Sequence, residues 1–289
     1  MDERAALERL ETTLSAAGDD AAVVDGLALT TDMLHDTTDF PTGTTRYTAG
    51  WRAVGASLSD LAAMGAEAVA AVAVYGAPSF DWAEIADFVA GASDVCELVG
   101  GAYVGGDLDG HEEFTVATTA LGQTDRPVLR SGATPGDAVC VTGTLGRSGA
   151  AIRRFEDGAI ERGNELFRFE PRIEAGLALA PHATAMMDSS DGLARSLHQL
   201  AAASDCGFVI ESPLPIDDAV DAVADDDTER LERGVFFGED FELVCTLPED
   251  AIAPVRDDLS VALTRIGTVT ESGLTLDSEP LPDRGYTHG

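Results

Sequence analysis

The sequence predicts an α/β fold made of two mixed domains. Strand-like apolar runs alternate with segments of helical spacing along the chain. Its 289 residues, 45% of them hydrophobic, are enough to form two cores of ordinary size. A stretch rich in Pro, Gly and polar residues, "QTDRPVLRSGATPGD", interrupts the pattern. We therefore expect a boundary near residue 125 and domains at 1–125 and 126–289.

The first domain begins with a hairpin, because "AAVV" and "LALT" flank the two-residue turn Asp25-Gly26. "GWRAVGASLSDLAAMGA" has helical spacing and "VAAVAVYG" is typical of a buried strand. Ser79 is predicted to cap a helix through "DWAEIADFVAGASDVCELVG". "AYVGGDLDG" predicts a strand that runs into a glycine turn, and "EFTVATTALG" predicts another strand.

The second domain resumes with the strand "AVCVTGTLG". We expect a helix pair over about 147–181, the strand "ATAMMD", the helix "GLARSLHQLAAAS" and the strand "GFVIE". An acidic helical stretch near 216–233 and the segment "GEDFELVCTL" follow. The tail "TRIGTVTESGLTLD" is predicted to form a closing hairpin.

The composition is strongly acidic, with 52 Asp and Glu against 18 basic residues, all of which are Arg. The net charge of −34 excludes nucleic acid and anionic membranes as partners, because both bind through Lys and Arg. Self-repulsion of this size is tolerable at roughly molar salt, so we expect a halophile's cytoplasm. No apolar run is long enough to span a membrane. The four cysteines form no CxxC pair and are interpreted as buried thiols.

Candidate metal ligands lie in "GDDAAVVDGLALTTD", residues 18–32. If residue 24 pairs with 27, Asp20 lies opposite Thr31 and Asp19 opposite Asp32, so that three carboxylates converge. Like charges this close raise one another's pKa unless a cation lies between them, and hard oxygen ligands suit Mg²⁺. In a chain with so many acidic residues, chance proximity explains this feature equally well.

Three further carboxylates lie in apolar surroundings rather than on a polar face. Asp60 lies in a helix of Ala, Leu and Met, Asp107 follows two glycines, and Asp188 ends an apolar strand. Asp191 has two interpretations, the N-cap of the next helix or a metal ligand. An unpaired carboxylate in such surroundings is costly, so the set favours a site for several metal ions.

Phosphate is the natural partner of such ions. The Lys-containing phosphate loop cannot form without Lys, and the protein kinase signatures HRD and DFG are missing. "TGTLGRSGA", residues 142–150, offers glycines and Arg147, although a plain turn explains it equally well. Arg130 is a second basic candidate.

Eight ordered motifs closely resemble the thiamine-monophosphate kinase family. They are "GDDAAVV", "TTDML", "SLSDLAAMGAE", "GGD", "LRSGATPGD", "VTGTLG", "DSSDGL" and "GEDFEL", spread over residues 18–243. The resemblance implies phosphoryl transfer from ATP to thiamine monophosphate, giving thiamine diphosphate, with several Mg²⁺ ions. It also implies the two-domain fold of aminoimidazole ribonucleotide synthetase, and a homodimer whose first domains form a β-barrel.

The same resemblance assigns the site residues. The metal ligands would be Asp20, Thr30, Thr31, Asp32, Asp60, Asp107, Asp188 and Asp191. ATP would contact Gly106, Asp107, Arg130 and Ser190, and the thiamine substrate would contact Asp39, Glu239 and Tyr286. No general base is expected, because a phosphate whose second pKa is about 6 is already ionised at neutral pH. The remaining task is to neutralise and align two anions for in-line transfer.

The chain departs from the family pattern at two positions. Asp39 stands where the family often has a substrate-contacting His, and Leu108 where Thr is common. Two related enzymes are less compatible. Selenophosphate synthetase would carry a reactive Cys near its start, whereas the first Cys of this chain is Cys96. The hydrogenase maturation factor would end in a Cys-containing tail, whereas this chain ends in "RGYTHG". A non-catalytic sensor would have lost a metal aspartate, and none of the expected ones is missing.

Overall fold

The computed structural model describes residues 9–10, 13–14 and 16–286, which form two β-sheets with helices between and around them. The first sheet has the order β1-β2-β5-β3-β4, in which only β3 and β4 are parallel. Its strands are β1 (Ala22–Val24), β2 (Leu27–His35), β3 (Glu67–Ala77), β4 (Ala102–Gly110) and β5 (Thr115–Gln123). The α/β fold class predicted from the sequence is confirmed.

The second sheet has seven strands in the order β12-β11-β8-β10-β6-β9-β7. Its strands are β6 (Ala138–Thr142), β7 (Ala185–Asp188), β8 (Gly207–Ile210), β9 (Leu243–Leu247), β10 (Leu263–Thr270), β11 (Leu274–Leu276) and β12 (Glu279–Pro280). The boundary predicted near residue 125 falls in the connection between the two sheets, residues 124–137. The division into two domains at that point stays a prediction.

The first hairpin turns at Asp25 and Gly26, as predicted. Both residues have positive φ, +52° and +81°, which is the geometry of a tight two-residue hairpin turn. The strand pairing stops at Ala22 opposite Leu29. The prediction that it continues to Asp19 and Asp20 is wrong, because the chain bends over residues 18–21.

Two long helices belong to the first half of the chain, α1 (Arg46–Ala63) and α2 (Trp82–Leu98). Thr45 caps α1, and Asp81 caps α2 by accepting hydrogen bonds from the backbone N–H groups of residues 83 and 84. The predicted cap Ser79 is therefore wrong by two residues. The helices cross closely, since a Cβ at Gly50 would lie 2.1 Å from the carbonyl oxygen of Phe88.

Strand β4 corrects a second prediction. "AYVGGDLDG" does not turn at its glycines but continues as one strand parallel to β3. The register shifts beside Gly105, whose φ is +141°. The glycines therefore accommodate an irregularity within the strand, because the pairing to β3 resumes after it.

The helices of the second half are shorter than predicted. The helix pair expected over 147–181 is three helices, and the acidic stretch is two short helices followed by a π-helical turn at Glu232–Phe236. Gly158 follows the end of the first of these helices with φ +75°, and Pro171 precedes the third. The elements are α3 (Arg147–Glu156), α4 (Ile160–Phe167), α5 (Ile173–Leu179), α6 (Leu193–Ser204), α7 (Asp218–Asp221), α8 (Asp227–Leu231) and α9 (Ile252–Asp258).

The predicted closing hairpin is also wrong. β10 and β11 are consecutive in the chain but are not paired, because β8 lies between them, antiparallel to β10 and parallel to β11. Local sequence shows two strands and a turn but does not show which strand will insert between them.

Helix α1 connects the two sheets. It packs on β2, β3 and β5 of the first sheet and reaches β7 of the second. Leu58, Leu61 and Met64 are buried in the shared core. Three of the four free cysteines are buried as expected, and Cys206 is half-buried. Within the described ranges, no helix is both long and apolar enough to cross a membrane.

Candidate metal and substrate site

An acidic cluster lies where α1 meets both sheets. Asp20 precedes β1, Asp60 lies in the last turn of α1, and Asp188 ends β7. One carboxylate oxygen from each lies within 4.8 Å of the others. Because these residues are far apart in sequence, the contact of α1 with both sheets is what brings them together. We call this set the acidic cluster.

The electrostatics of the acidic cluster are unfavourable without a cation. Burial raises the pKa of Asp60 well above its usual range, and Asp32, Asp188 and Asp20 raise it further. Burial and the charge of Asp20 raise the pKa of Asp188 to about 8. The buried Oδ2 of Asp188 makes no hydrogen bond of normal geometry, although the nearby Ser59 hydroxyl acts to lower the pKa of Asp188. A buried carboxylate with an unpartnered oxygen, grouped with two other carboxylates, fits a hard divalent cation.

Arg130 is the basic residue that pairs with the acidic cluster. Its Nε and a terminal nitrogen donate to the two carboxylate oxygens of Asp20 at 3.2 and 2.9 Å. Burial lowers the pKa of Arg130, but Asp20 and the other cluster carboxylates outweigh it, so the net shift is upward. The backbone N–H of Arg130 donates to Asp19 at 2.8 Å. Asp19 thus anchors the Arg130 segment rather than joining the cluster.

The β2 residues predicted as ligands divide between the two faces of the first sheet. Thr30 is buried on the inner face and donates to Oδ2 of Asp60 at 2.5 Å. Asp32 lies on the same face and accepts from Ser57 at 3.2 Å. Thr31 lies on the outer face and donates to the carbonyl oxygen of Thr118 at 2.7 Å. The structure therefore brings Thr30 and Asp32, but not Thr31, to the cluster.

Gly106 and Asp107 lie on β4, three strands from β2, or about 14 Å at ordinary strand spacing. Asp107 shares a row of the sheet with Val74, whose side chain is exposed on the outer face. It is thus separate from the acidic cluster within one chain. Both residues line a cavity of about 600 Å³ between β4 and α2, with Tyr103, Ile85 and Phe88 among its apolar walls.

Ser190 and Asp191 lie in the loop between β7 and α6. The N-cap of α6 is Gly192, so the interpretation of Asp191 as the helix cap is wrong. The carbonyl oxygen of Ser190 accepts the backbone N–H of Glu239 at 2.6 Å. A Cβ at Gly238 would lie 2.5 Å from that carbonyl oxygen, so only glycine allows this approach. Loop 189–192 and loop 238–242 are thus joined backbone to backbone.

A cavity of about 850 Å³ contains the three residues predicted to contact substrate, Asp39, Glu239 and Tyr286. Tyr286 donates to Asp39 at 3.5 Å, and the other Asp39 oxygen accepts from the backbone N–H of His35 at 2.7 Å. Four carboxylates and five aromatic rings, but no Arg, lie among the described residues of its wall. They are Asp36, Asp39, Glu156, Glu239, Phe40, Phe155, Phe167, Phe237 and Tyr286. Such a wall suits a cationic ring system.

The glycine-rich segment 142–150 leads into the N-terminus of α3, but an internal carboxylate occupies that terminus. Asp240 accepts the backbone N–H groups of Gly146 at 2.5 Å and Ser148 at 3.0 Å. Burial raises the pKa of Asp240 to about 7, against the lowering effect of these bonds. Arg147 donates to the carbonyl oxygen of Leu166 at 3.2 Å. The turn interpretation of this segment is favoured over the phosphate loop.

Sequence reasoning missed Arg52, which lies within α1 and pairs with Glu239. It also missed Asp240 and the ion pair of Glu242 with Arg172 at 2.6 Å. A signal for Arg52 was present, since it is a charged residue in a helix of small and apolar residues, like Asp60. The pattern was applied to carboxylates alone.

The chain is similar to known proteins over its whole length. Residues 18–124 match the family of AIR synthase related proteins, N-terminal domain, and residues 134–277 match its C-terminal domain. The thiamine-monophosphate kinase of Halobacterium salinarum is 61% identical over 100% of both chains. That of Methanospirillum hungatei is 38% identical over 100% of this chain and 99% of the relative.

Solved structures show the same likeness. A structure described as AaThiL complexed with AMPPCP and TMP has a TM-score of 0.89 and 27% identity, covering 100% of this chain and 97% of that chain. The thiamine-monophosphate kinase of Stenotrophomonas maltophilia has a TM-score of 0.81 and 30% identity over 94% and 95% of the two chains. The chain belongs to the thiamine-monophosphate kinase family.

Proposed function

We propose that this protein phosphorylates thiamine monophosphate with ATP, giving thiamine diphosphate and ADP. One observation carries the proposal beyond family membership. Ser190 lies two residues after Asp188 of the acidic cluster, and Glu239 lines the 850 Å³ cavity. The hydrogen bond from the backbone N–H of Glu239 to the carbonyl oxygen of Ser190 therefore joins the two. A ligand with a cationic ring in the cavity would therefore present its phosphate toward the cluster.

The cluster residues fit Mg²⁺, because Asp188 leaves a buried oxygen orphaned and its neighbours are hard oxygen donors. Asp20, Asp60 and Asp188 would hold the ions, with Asp32 and Thr30 beside them. When bound, Mg²⁺ neutralises phosphate oxygens and fixes their relative position. We infer roles for Thr31, Asp107 and Asp191 from the resemblance alone, since the structure places none of them in the acidic cluster.

The chain's own residues then account for the transfer. Glu239, Asp39 and Tyr286 would orient the thiamine ring, and Arg130 would steady the polyphosphate beside Asp20. An oxygen of the thiamine phosphate attacks the γ-phosphorus of ATP, the bond from that phosphorus to the bridging oxygen breaks, and ADP leaves. No side chain has to remove a proton, because the attacking phosphate is already ionised at neutral pH. The nucleoside of ATP would occupy the cavity beside Gly106 and Asp107.

A homodimer is also proposed. The outer face of the first sheet carries exposed apolar side chains, including Leu29, Met33, Val72 and Val74, each more than a third exposed. A sheet face of this kind is normally covered. Pairing of two such faces would produce the β-barrel that the family resemblance implies. Thr31 and Asp107 lie on this face and would then lie at the interface.

The test is direct. The protein is incubated with ATP, MgCl₂ and thiamine monophosphate in roughly molar KCl, and thiamine diphosphate and ADP are separated by chromatography. Formation of the two products in equal amounts is expected. Turnover of another phosphate acceptor instead would indicate a different ATP-dependent enzyme of the superfamily. Binding of ATP without turnover of any acceptor would indicate a nucleotide or metal sensor.

A further inference from the structure

Arg52 is a buried charge at the centre of the molecule. It lies in α1, where 14 of 18 residues are buried, and its own side chain is only 1% exposed. A charge in such a place is stable only when it is paired, and both terminal nitrogens of Arg52 have partners, whereas its buried Nε has none. The guanidinium lies 3.6 Å over the ring of Phe167 and donates to that residue's carbonyl oxygen. It also donates to Ser148 at 3.3 Å and makes an ion pair with Glu239.

Glu239 connects this buried charge to the substrate cavity. Its side chain is 26% exposed and lines the 850 Å³ cavity. Oε2 is bound by Arg52, and no protein donor within the described ranges holds Oε1. Oε1 is therefore available to a ligand, and Arg52 fixes the direction in which it points.

Glu239 lies outside any helix or strand, so regular backbone hydrogen bonding does not fix the direction of its carboxylate. Glu239 and Phe241 both have positive φ, +64° and +55°, in a loop outside any strand or helix. Such conformations are strained in residues other than glycine and persist only where neighbours hold them. The carbonyl oxygen of Glu239 accepts from Ser148 at 2.6 Å and from Arg52 at 3.3 Å. Arg52 thus holds both the backbone and the carboxylate of Glu239.

We propose that Arg52 is a positioning residue for recognition of the thiamine substrate, acting through Glu239 without touching the ligand. The inference rests on the proposed function. Arg52 does not line the cavity, yet its planar fork spans two elements of the second half, α4 at Phe167 and the loop at Glu239. Lys offers a point charge in place of this fork and cannot hold all of these acceptors at once.

The experiment compares KM for thiamine monophosphate, KM for ATP, kcat and Tm in Arg52→Lys, Glu239→Gln and the double variant. A positioning role predicts that Arg52→Lys raises KM for thiamine monophosphate about tenfold and leaves KM for ATP within about twofold. In the Glu239→Gln background, the same change should add less than about twofold, because the carboxylate that Arg52 positions is gone. Effects that multiply, or a similar rise in both KM values, would overturn the inference.

Arg172→Lys is the matched control. Arg172 pairs with Glu242 in the same segment, but neither residue lines the cavity. The Arg172→Lys change should lower Tm and leave KM for thiamine monophosphate within about twofold of the wild-type value. A KM rise equal to that of Arg52→Lys would show that any loosening of the segment has the effect, and would overturn the inference.

Ser148→Ala covers the case in which Arg52→Lys does not fold. This change removes one hydrogen bond to Arg52 and one to the backbone of Glu239. It should raise KM for thiamine monophosphate about threefold with KM for ATP unchanged; no change would contradict the positioning role. A wild-type protein that does not convert thiamine monophosphate overturns the proposed function and this inference together. Wild-type turnover with unaltered KM in the variants overturns the inference alone.

Discussion

Asp188→Asn should stabilise the metal-free protein while abolishing its activity. The pKa of Asp188 is raised from 3.8 to about 8, so folding favours its protonated form. At pH 7 this carboxyl is ionised in the unfolded chain and protonated in the folded protein. Taking up the proton on folding lowers the free energy of unfolding by about 4 kcal/mol. Asn has nearly the same volume and no charge, so this cost disappears.

The sign of the pH dependence follows from the raised pKa. The stability associated with protonated Asp188 is fully present below about pH 4 and is lost as the pH rises through about 8. The advantage of Asp188→Asn in the metal-free protein should therefore grow over that window. At about 2 °C per kcal/mol for a chain of this length, the effect of about 4 kcal/mol at pH 7 raises Tm by about 8 °C.

The assay is thermal unfolding in roughly molar KCl, with EDTA or with saturating MgCl₂, together with turnover. The Tm of the wild-type protein should rise with MgCl₂, because the ions bind only the folded cluster. The Tm of the variant should rise much less, and its turnover should fall at least about 100-fold. Asp250→Asn, at an exposed position outside the site, is the control for loss of one negative charge. The reasoning is refuted if metal-free Asp188→Asn is less stable than wild type, or if its response to MgCl₂ and its turnover are both unchanged.

Four further outcomes follow from the same structure. Folding raises the pKa of Asp240 to about 7, so this carboxyl makes the free energy of unfolding fall as the pH rises from about 4 to about 7; denaturant titrations should show a smaller fall in Asp240→Asn. Arg130→Gln leaves the buried Asp20 unpaired and should cost about 3–5 kcal/mol in the metal-free protein, with partial recovery of Tm in MgCl₂. Val74→Glu places a charge on the apolar outer face and should convert dimer to monomer in light scattering; a dimer that persists would exclude this face. Unfolding in decreasing KCl should show Tm falling steadily, and full stability at about 50 mM would contradict the need for salt that the net charge implies.

The sequence predicts best where local chemistry decides the structure. The turn at Asp25-Gly26 requires two residues with positive φ, and the dipeptide provides them. Asp60 and Asp188 were found because a carboxylate in an apolar segment needs a partner, and the structure brings them together. Arg52 meets the same criterion, because it is a charged residue in a helix of small and apolar residues, but the criterion was used for carboxylates alone. Its partner Glu239, 187 residues away, is not visible in the local sequence.

The predictions that failed depend on long-range pairing. The tail was expected to close on itself, but β8 pairs with both β10 and β11 and separates them. The pairing of the first hairpin was expected to continue to Asp19 and Asp20, but the chain bends over residues 18–21, and Asp20 lies with Asp60 and Asp188. In both cases a distant segment competes successfully with the neighbour in sequence, which no local pattern records.

The backbone contact between loops 189–192 and 238–242 holds the acidic cluster and the substrate cavity in a fixed relation. The distance from Asp188 to the substrate cavity is set by the hydrogen bond from Glu239 to Ser190 and by the close packing of Gly238. Main-chain contacts of this kind do not depend on which side chain lines the far wall of the cavity. We therefore expect that Asp39, at the position where the family resemblance implies a His, leaves the proposed phosphate-binding end in place. In contrast, a change at Asp188, Gly238 or Glu239 alters the relation between the two ends directly.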